Sequence, residues 1–284
     1  MRRALSVHLT GVLLYAWVGG CALPPAPDPD PSPPTADDDD ATSYTGDSTV
    51  TGTVTTTSGE AIADLTIALC GQVCLLDSTD ADGRFFFDRV LSGVMVLESF
   101  AAPGDDPPAD ARSWTRFFDF VAVGEAEDIV LDRPLVVHRV EQPAGPLLGP
   151  QDLDLGGGLR VGFDVDDLGL LPVPGDDVTL GATVIPEADW PVGGLGGWTV
   201  VGAWGLAIWD LAAEDGFAVR ATPGLAQPLD PGTEVAFLVA DYTYGFVNGI
   251  FFEEAAELSA DGLTWSTPDS GGLDRTTLWL AVIR

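Results

Sequence analysis

The sequence predicts an all-β protein, two β-sandwich domains that follow an N-terminal apolar segment and a disordered Pro/Asp-rich tether. Three observations carry that expectation. Short runs of alternating apolar and polar residues recur at close intervals from Ser48 onward, divided by Gly, Asp, Ser and Pro, as half-buried strands joined by tight turns require. Asn248-Gly249 stands between Phe246-Val247 and Ile250-Phe251, a strong two-residue hairpin signal. Hydrophobic residues make up 46% of 284 positions, ample for packed cores in one large or two ordinary domains.

Residues 1–20 open with Arg2-Arg3 and run into an apolar stretch over 9–20, too short to span a bilayer. The stretch ends in Val18-Gly19-Gly20-Cys21, which resembles a bacterial lipoprotein signal with its lipobox. That resemblance implies cleavage before Cys21, acylation of Cys21 and a membrane partner held through lipid. Gly19 is a tolerated rather than typical residue at its position. An ordinary secretory signal cut elsewhere, leaving a free thiol, is the alternative. Ala22 in place of Asp after the cysteine points, by the enteric sorting rule, to an outer-membrane lipoprotein facing the periplasm or the surface.

Residues 21–47 hold Pro24, Pro25, Pro27, Pro29, Pro31, Pro33 and Pro34, then four aspartates over 37–40. Proline stiffens the segment toward polyproline II and the aspartates repel one another, so it forms a tether of on the order of 80 Å when extended.

The first sandwich is expected over 48–140. Val50, Gly52 and Val54 alternate, Ser58-Gly59 turns, and Leu65, Ile67 and Leu69 alternate again. Further strands are expected at 84–87, 94–100, 114–123, 129–131 and 135–140, about seven in all, with an acidic surface loop over 102–110. Cys70 and Cys74 flank a three-residue turn, Gly71-Gln72-Val73. A hairpin there sets them opposite each other at disulfide distance. A redox role is disfavoured, because the spacing is not C-x-x-C and no basic residue lies nearby.

Gly52-Thr53-Val54, then 58–63 (Ser-Gly-Glu-Ala-Ile-Ala), then 79–85 (Thr-Asp-Ala-Asp-Gly-Arg-Phe) together resemble the carboxypeptidase regulatory-like family, a transthyretin-like, prealbumin-type sandwich. Ser92-Gly93 stands where that family has a Pro-Gly. The resemblance covers about 48–140 and implies a non-catalytic appendage with a carbohydrate-binding-like fold.

Pro143, Gly145, Pro146, Gly149 and Pro150 mark a linker over 141–150. The second sandwich, 151–284, is expected to place strands at 159–165, 178–185, 198–204, 217–221, 234–240, 250–258 and 276–283. Residues 231–235 (Pro-Gly-Thr-Glu-Val) with 259–262 (Ser-Ala-Asp-Gly) resemble C-terminal modules of myxobacterial-type surface lipoproteins. The uncharged stretch 192–209 is glycine-rich and lies between Pro191 and Asp210. It reads as two buried strands rather than a membrane helix.

Charge narrows the partners. Twelve basic residues, all Arg, face 44 acidic ones, a net of −32. Removing residues 1–20 removes two arginines and no acids, giving −34. Such a chain repels phosphate backbones, so no nucleic acid is expected.

Catalytic signals are thin. His138 is the only histidine after residue 20 and sits in Leu135-Val136-Val137-His138-Arg139, where a strand histidine is the default. There is no G-x-S-x-G and no H-E-x-x-H. Gly46-Asp47-Ser48 resembles the nucleophile block of one esterase family without its downstream Asp-x-x-His. Asp269-Ser270-Gly271 resembles half of an aspartic-protease site without a second copy. No enzyme, catalytic residue, cofactor or metal is therefore expected. Calcium stays an open question at 80–83 (Asp-Ala-Asp-Gly), a plain turn lacking the EF-hand's later acids, and at Asp164, Asp166, Asp167, Asp176 and Asp177.

Trp190, Trp198, Trp204 and Trp209 fall within twenty positions. Exposed, they would stack on sugar rings; buried, they are core. The expected function is a non-catalytic envelope lipoprotein presenting sandwiches to an envelope protein partner. The alternative is a glycan-binding surface lipoprotein.

Overall fold

Alternation builds the first half strand by strand. In β1 (Ser48–Thr56), Val50, Gly52 and Val54 are buried while the threonines at 49, 51, 53 and 55 are half-exposed, as the two-residue period of a strand requires. This arrangement comes from a computed structural model that describes residues 46–71, 73–99, 114–140, 151–164, 168–169, 180–191, 195–207, 212–240, 251–268 and 272–284. The remaining strands of this half are β2 (Thr66–Cys70), β3 (Cys74–Ser78), β4 (Arg84–Val90), β5 (Gly93–Ser99), β6 (Phe118–Val123), β7 (Asp128–Val130) and β8 (Leu135–Val137). They form two sheets, β4-β1-β7 with β8 also on β1, and β3-β2-β5-β6.

Between these sheets lies a core of Val50, Val54, Phe85 and Phe87 from one side and Ile67, Leu69, Met95, Leu97 and Val121 from the other. Burying each such side chain contributes about 1.5–3 kcal/mol. Gly46 donates its N–H to the Arg89 carbonyl at 2.9 Å.

The second half supplies β9 (Gln151–Gly156), β10 (Leu159–Phe163), β11 (Leu168–Gly169), β12 (Gly181–Val184), β13 (Thr199–Ala207), β14 (Ala212–Ala221), β15 (Val235–Ala240), β16 (Phe251–Ala255), β17 (Glu257–Leu258), β18 (Trp265–Ser266), β19 (Leu273–Arg275) and β20 (Leu278–Ile283). One sheet runs β12-β13-β20-β15-β16. The other runs β17-β18-β14-β10-β9, with β11 and β19 also paired to β14. Their shared core includes Leu159, Val161, Phe217, Val219 and Trp265 against Trp204, Phe237 and Trp279. The β9–β10 connection turns on Gly157 and Gly158, both at positive φ (58° and 79°), a conformation that glycine adopts without steric cost.

A third core joins the halves. Phe118, with Val96 and Phe120 beside it, packs against Ala203, Leu238, Leu280 and Val282. The sheet containing β13, β20 and β15 is therefore covered on both faces. Its strands are continuously apolar for that reason: all six residues of β15 are buried. At the seam a Cβ on Gly205 would lie 2.6 Å from the Thr115 Cβ, so glycine there lets the two halves approach. Tyr44–Arg284 form one compact unit.

The single strand expected at 250–258 is two, β16 and β17, in different sheets, and three further expectations change. The stretch 192–209 holds one nine-residue strand, β13, rather than two; the Gly196-Gly197 turn precedes it, and 192–194 and 208–209 lie outside the described residues. Strands β9, β11, β18 and β19 were not anticipated. The segment expected at 217–221 is the end of a longer strand, β14, because its N-terminal part pairs with β11 and β19. No helix among the described residues is long and apolar enough to cross a membrane. Cys21, the tether up to residue 45, the 141–150 linker and the Asn248-Gly249 turn lie outside the described residues.

Candidate functional site

Of the four tryptophans flagged for sugar stacking, Trp198 and Trp204 serve as packing. Trp204 is 1% exposed and donates its indole N–H to the Gly157 carbonyl at 3.0 Å. Trp198 is 6% exposed; it donates to Glu253 Oε2 at 2.8 Å, and the Arg284 guanidinium covers its ring at 4.0 Å from the centroid. Neither ring offers a free face to a sugar, because Trp204 on β13 and Trp198 just before it both face a core rather than solvent. Trp190 is half-buried and donates to the Ile185 carbonyl at 2.8 Å. Trp209 lies outside the described residues.

His138 is buried in the seam between the halves. Its Nε2 lies 3.0 Å from Asp189 Oδ2, and Asp189 belongs to a 3-10 turn, Glu187–Asp189, of the second half. Burial pushes the imidazole pKa below its usual 6.5, while Asp189 pulls the other way. Arg133 crosses the same seam. It donates to Asp119 Oδ2 at 2.8 Å and to the carbonyls of Ala188 and Trp190. These groups clasp the halves; no nucleophile stands beside His138 among the hydrogen bonds it makes.

Cys70 and Cys74 are disulfide-bonded and directly opposite each other in the β2–β3 register, as the hairpin expectation held. Asp80 accepts the N–H groups of Asp82 and Arg84, each at 2.9 Å, so its carboxylate serves the turn. Among the described residues no cluster of three His, Cys, Asp or Glu is placed to hold a metal ion; Asp166, Asp167, Asp176 and Asp177 lie outside them. Among the acids, Asp261 is held below the usual carboxylate range by hydrogen bonds from the Ser259 hydroxyl and the Leu263 N–H, again inside a turn.

A polar cleft of about 260 Å³ opens on the outer face of the β17-β18-β14-β10-β9 sheet. Alternation creates it. Leu159, Val161, Phe217 and Val219 point into the core, which turns Arg160, Gly162, Ala218 and Arg220 outward. Arg160 stands directly opposite Arg220, and Gly162 opposite Ala218. Arg220 is in turn opposite Ser266. Two long cationic side chains thus border a floor that has almost no side chain, and the difference in height is the cleft. Asp152 bonds Arg160 at 2.9 Å across it, and this bond raises the Arg160 pKa further. Thr267 lines the same cleft, its hydroxyl oxygen accepting the Val219 N–H at 3.0 Å.

Sequence reasoning missed this cleft. The individual signals were legible: arginines are scarce, and each of these two sits at an outward phase next to a small residue. The pairing register that brings 160 opposite 220 spans sixty positions and is written in no local pattern.

No family model matches the chain, and no curated protein matches it. Several solved structures are similar, two of them as follows. One is a protein from Bacteroides uniformis whose proposed role is carbohydrate binding, 9% identical, covering 84% of this chain and 80% of that one, with a TM-score of 0.26. The other is the TIE protein of Bacillus anthracis, 8% identical, covering 78% of this chain and 43% of that one, with a TM-score of 0.27. At these scores neither carries a function to this chain.

Proposed function

We propose that the protein is a non-catalytic, lipid-anchored lipoprotein of the outer membrane that presents its stacked β-sheets to an envelope protein partner. In this reading Cys21 carries the lipid and residues 21–47 space the folded part from the membrane. Residues 48–140 form a carboxypeptidase regulatory-like domain, and 151–284 a second sandwich fixed to it. The observation that supports it best is the use made of the reactive groups. The one histidine after residue 20 is a buried clasp between the halves, and the third core makes the sheets a single body suited to presenting a surface. Crosslinking intact cells that carry a C-terminally tagged protein tests this. Reproducible recovery of one envelope protein supports the reading, and its loss when Cys21→Ala releases the protein from the membrane fraction supports the anchor. Recovery of polysaccharide without any protein overturns the protein-partner reading.

A second reading, a glycan-binding surface lipoprotein, is favoured by the polar cleft on the outer sheet face rather than by the tryptophans. Its hydroxyl, carboxylate and guanidinium lining is the set of groups that satisfies sugar hydroxyls.

A further inference from the structure

We infer that the cleft over Gly162 and Ala218, bordered by Arg160 and Arg220, binds a carboxylate-bearing sugar ring, of the uronic-acid class, with Arg220 as the carboxylate's partner. This rests on the glycan-binding reading and names the ligand class for it.

The arginines themselves point to an anion. Like charges directly opposite across a strand pair are destabilising, yet Arg160 and Arg220 occupy such a pair. Arg160 is compensated by Asp152. Arg220 has no ion pair with any described residue, although acids outnumber bases 44 to 12 in the chain. Most other described arginines are paired: Arg84, Arg89, Arg133 and Arg284 each meet a carboxylate. Arg139 is likewise exposed without an ion pair to a described residue, but only Arg220 of the two stands at the lip of a cleft, where its guanidinium is a ready fork for a carboxylate.

The rest of the cleft sets the class. Asp152 lies within it, and the chain's net charge is −32. Both penalise a doubly charged group more than a singly charged one, which favours a carboxylate over a phosphate monoester at this site. The volume, about 260 Å³, falls just below the roughly 300–1,000 Å³ of ordinary ligand pockets, so it suits a single ring rather than a folded segment. Asp152 offers acceptor oxygens to sugar hydroxyls, and the hydroxyls of Ser266 and Thr267 stand on the opposite side. A peptide fits less well. Strands β10 and β14 are interior to their sheet, so their backbones are already paired and cannot take an added strand.

The test is calorimetric titration of the full chain with digalacturonate, with lactose as a neutral disaccharide, with inorganic phosphate and with a glutamate-containing peptide. Digalacturonate is expected to bind, more weakly as salt rises, and lactose at least tenfold more weakly. Arg220→Ala is expected to cost roughly tenfold or more in affinity, and Arg220→Lys part of that because a point charge replaces a fork. Ala218→Leu fills the floor without changing charge and is expected to weaken binding as well; both positions are exposed, so an unchanged circular dichroism spectrum verifies the fold. Equal binding of lactose and digalacturonate would overturn the acidic-sugar inference while leaving the glycan reading standing. Tighter binding of phosphate or of the peptide would overturn the ligand class. Digalacturonate binding unchanged in both variants would overturn the site, and no binding by either disaccharide would remove the inference and the glycan reading together.

Discussion

Strands β1 and β15 are both interior to their sheets, yet they bury their residues differently. β1 alternates buried and half-exposed positions, whereas every residue of β15, Val-Ala-Phe-Leu-Val-Ala, is buried. The cause is the number of covered faces. The sheet of β1 packs on one neighbour and turns its threonines outward. The sheet of β15 lies between two cores, one within its own half and one against the first half. An open antiparallel sheet can leave one face wet; a sheet apolar on both faces must be covered twice. The second half therefore depends on the first for a cover, and the first half's outer sheet has no such dependence.

The most direct way to break this comparison is to weaken the cover. Phe118 is contributed by the first half and is 3% exposed in the joining core. Phe118→Ala is expected to lower the unfolding free energy by about 3–5 kcal/mol. The readout distinguishes coupling from simple damage, because the described tryptophans that are fully buried, Trp204, Trp265 and Trp279, all lie in the second half. Their fluorescence midpoint in denaturant is expected to fall although the substitution is in the first half. An unmoved fluorescence transition, with circular dichroism losing signal earlier, would mean that the halves fold independently and that the cover is dispensable.

The same contrast explains what the sequence made legible. Where one face was wet, as in β1, alternation located the strand; in the Cys70–Cys74 hairpin, whose first strand is buried over Ile67–Cys70, the short turn paired the cysteines correctly. Where both faces were dry, the period vanished. The run containing β13 carried no alternation to read, and its glycines suggested a break that the structure instead uses for close approach, Thr115 packing over Gly205. The stacking role considered for Trp204 met the same difficulty: a strand position exposes its ring only if that face of the sheet meets water. The cleft was illegible for another reason, since it arises from the register of β10 against β14 and not from either strand.

The disulfide sharpens the comparison at smaller scale. Cys70 and Cys74 close a loop at the far end of the β2–β3 hairpin, within the first half. Loop-closure entropy for so short a loop contributes about 2 kcal/mol. The double replacement Cys70→Ser with Cys74→Ser is expected to lower stability by about that amount in chemical denaturation. If reductant leaves the melting temperature of the unsubstituted chain unchanged, the bond contributes nothing and the β2–β3 edge is held by sheet pairing alone.

The smallest effect lies in the clasp. His138 brings a titratable group from the first half against Asp189 of the second. Two influences oppose each other there: burial disfavours the imidazolium, and the Asp189 carboxylate favours it, with burial the larger. The folded pKa is thus below the usual 6.5, so below that pH the unfolded chain binds more protons at this site than the folded one does. Stability from this site is then fully present above about pH 6.5 and is lost as pH falls toward the folded value, by at most about 1.4 kcal/mol per pH unit. The many carboxylates also respond to acid, so the quantity to follow is the difference between the unsubstituted chain and His138→Gln, which keeps an amide donor near Asp189 without a proton to gain. That difference is expected to shrink between about pH 7.5 and about pH 5.5. If it grows instead, the carboxylate outweighs burial, His138 is held protonated, and the seam is an ion pair that tightens in acid rather than a neutral hydrogen bond that loosens.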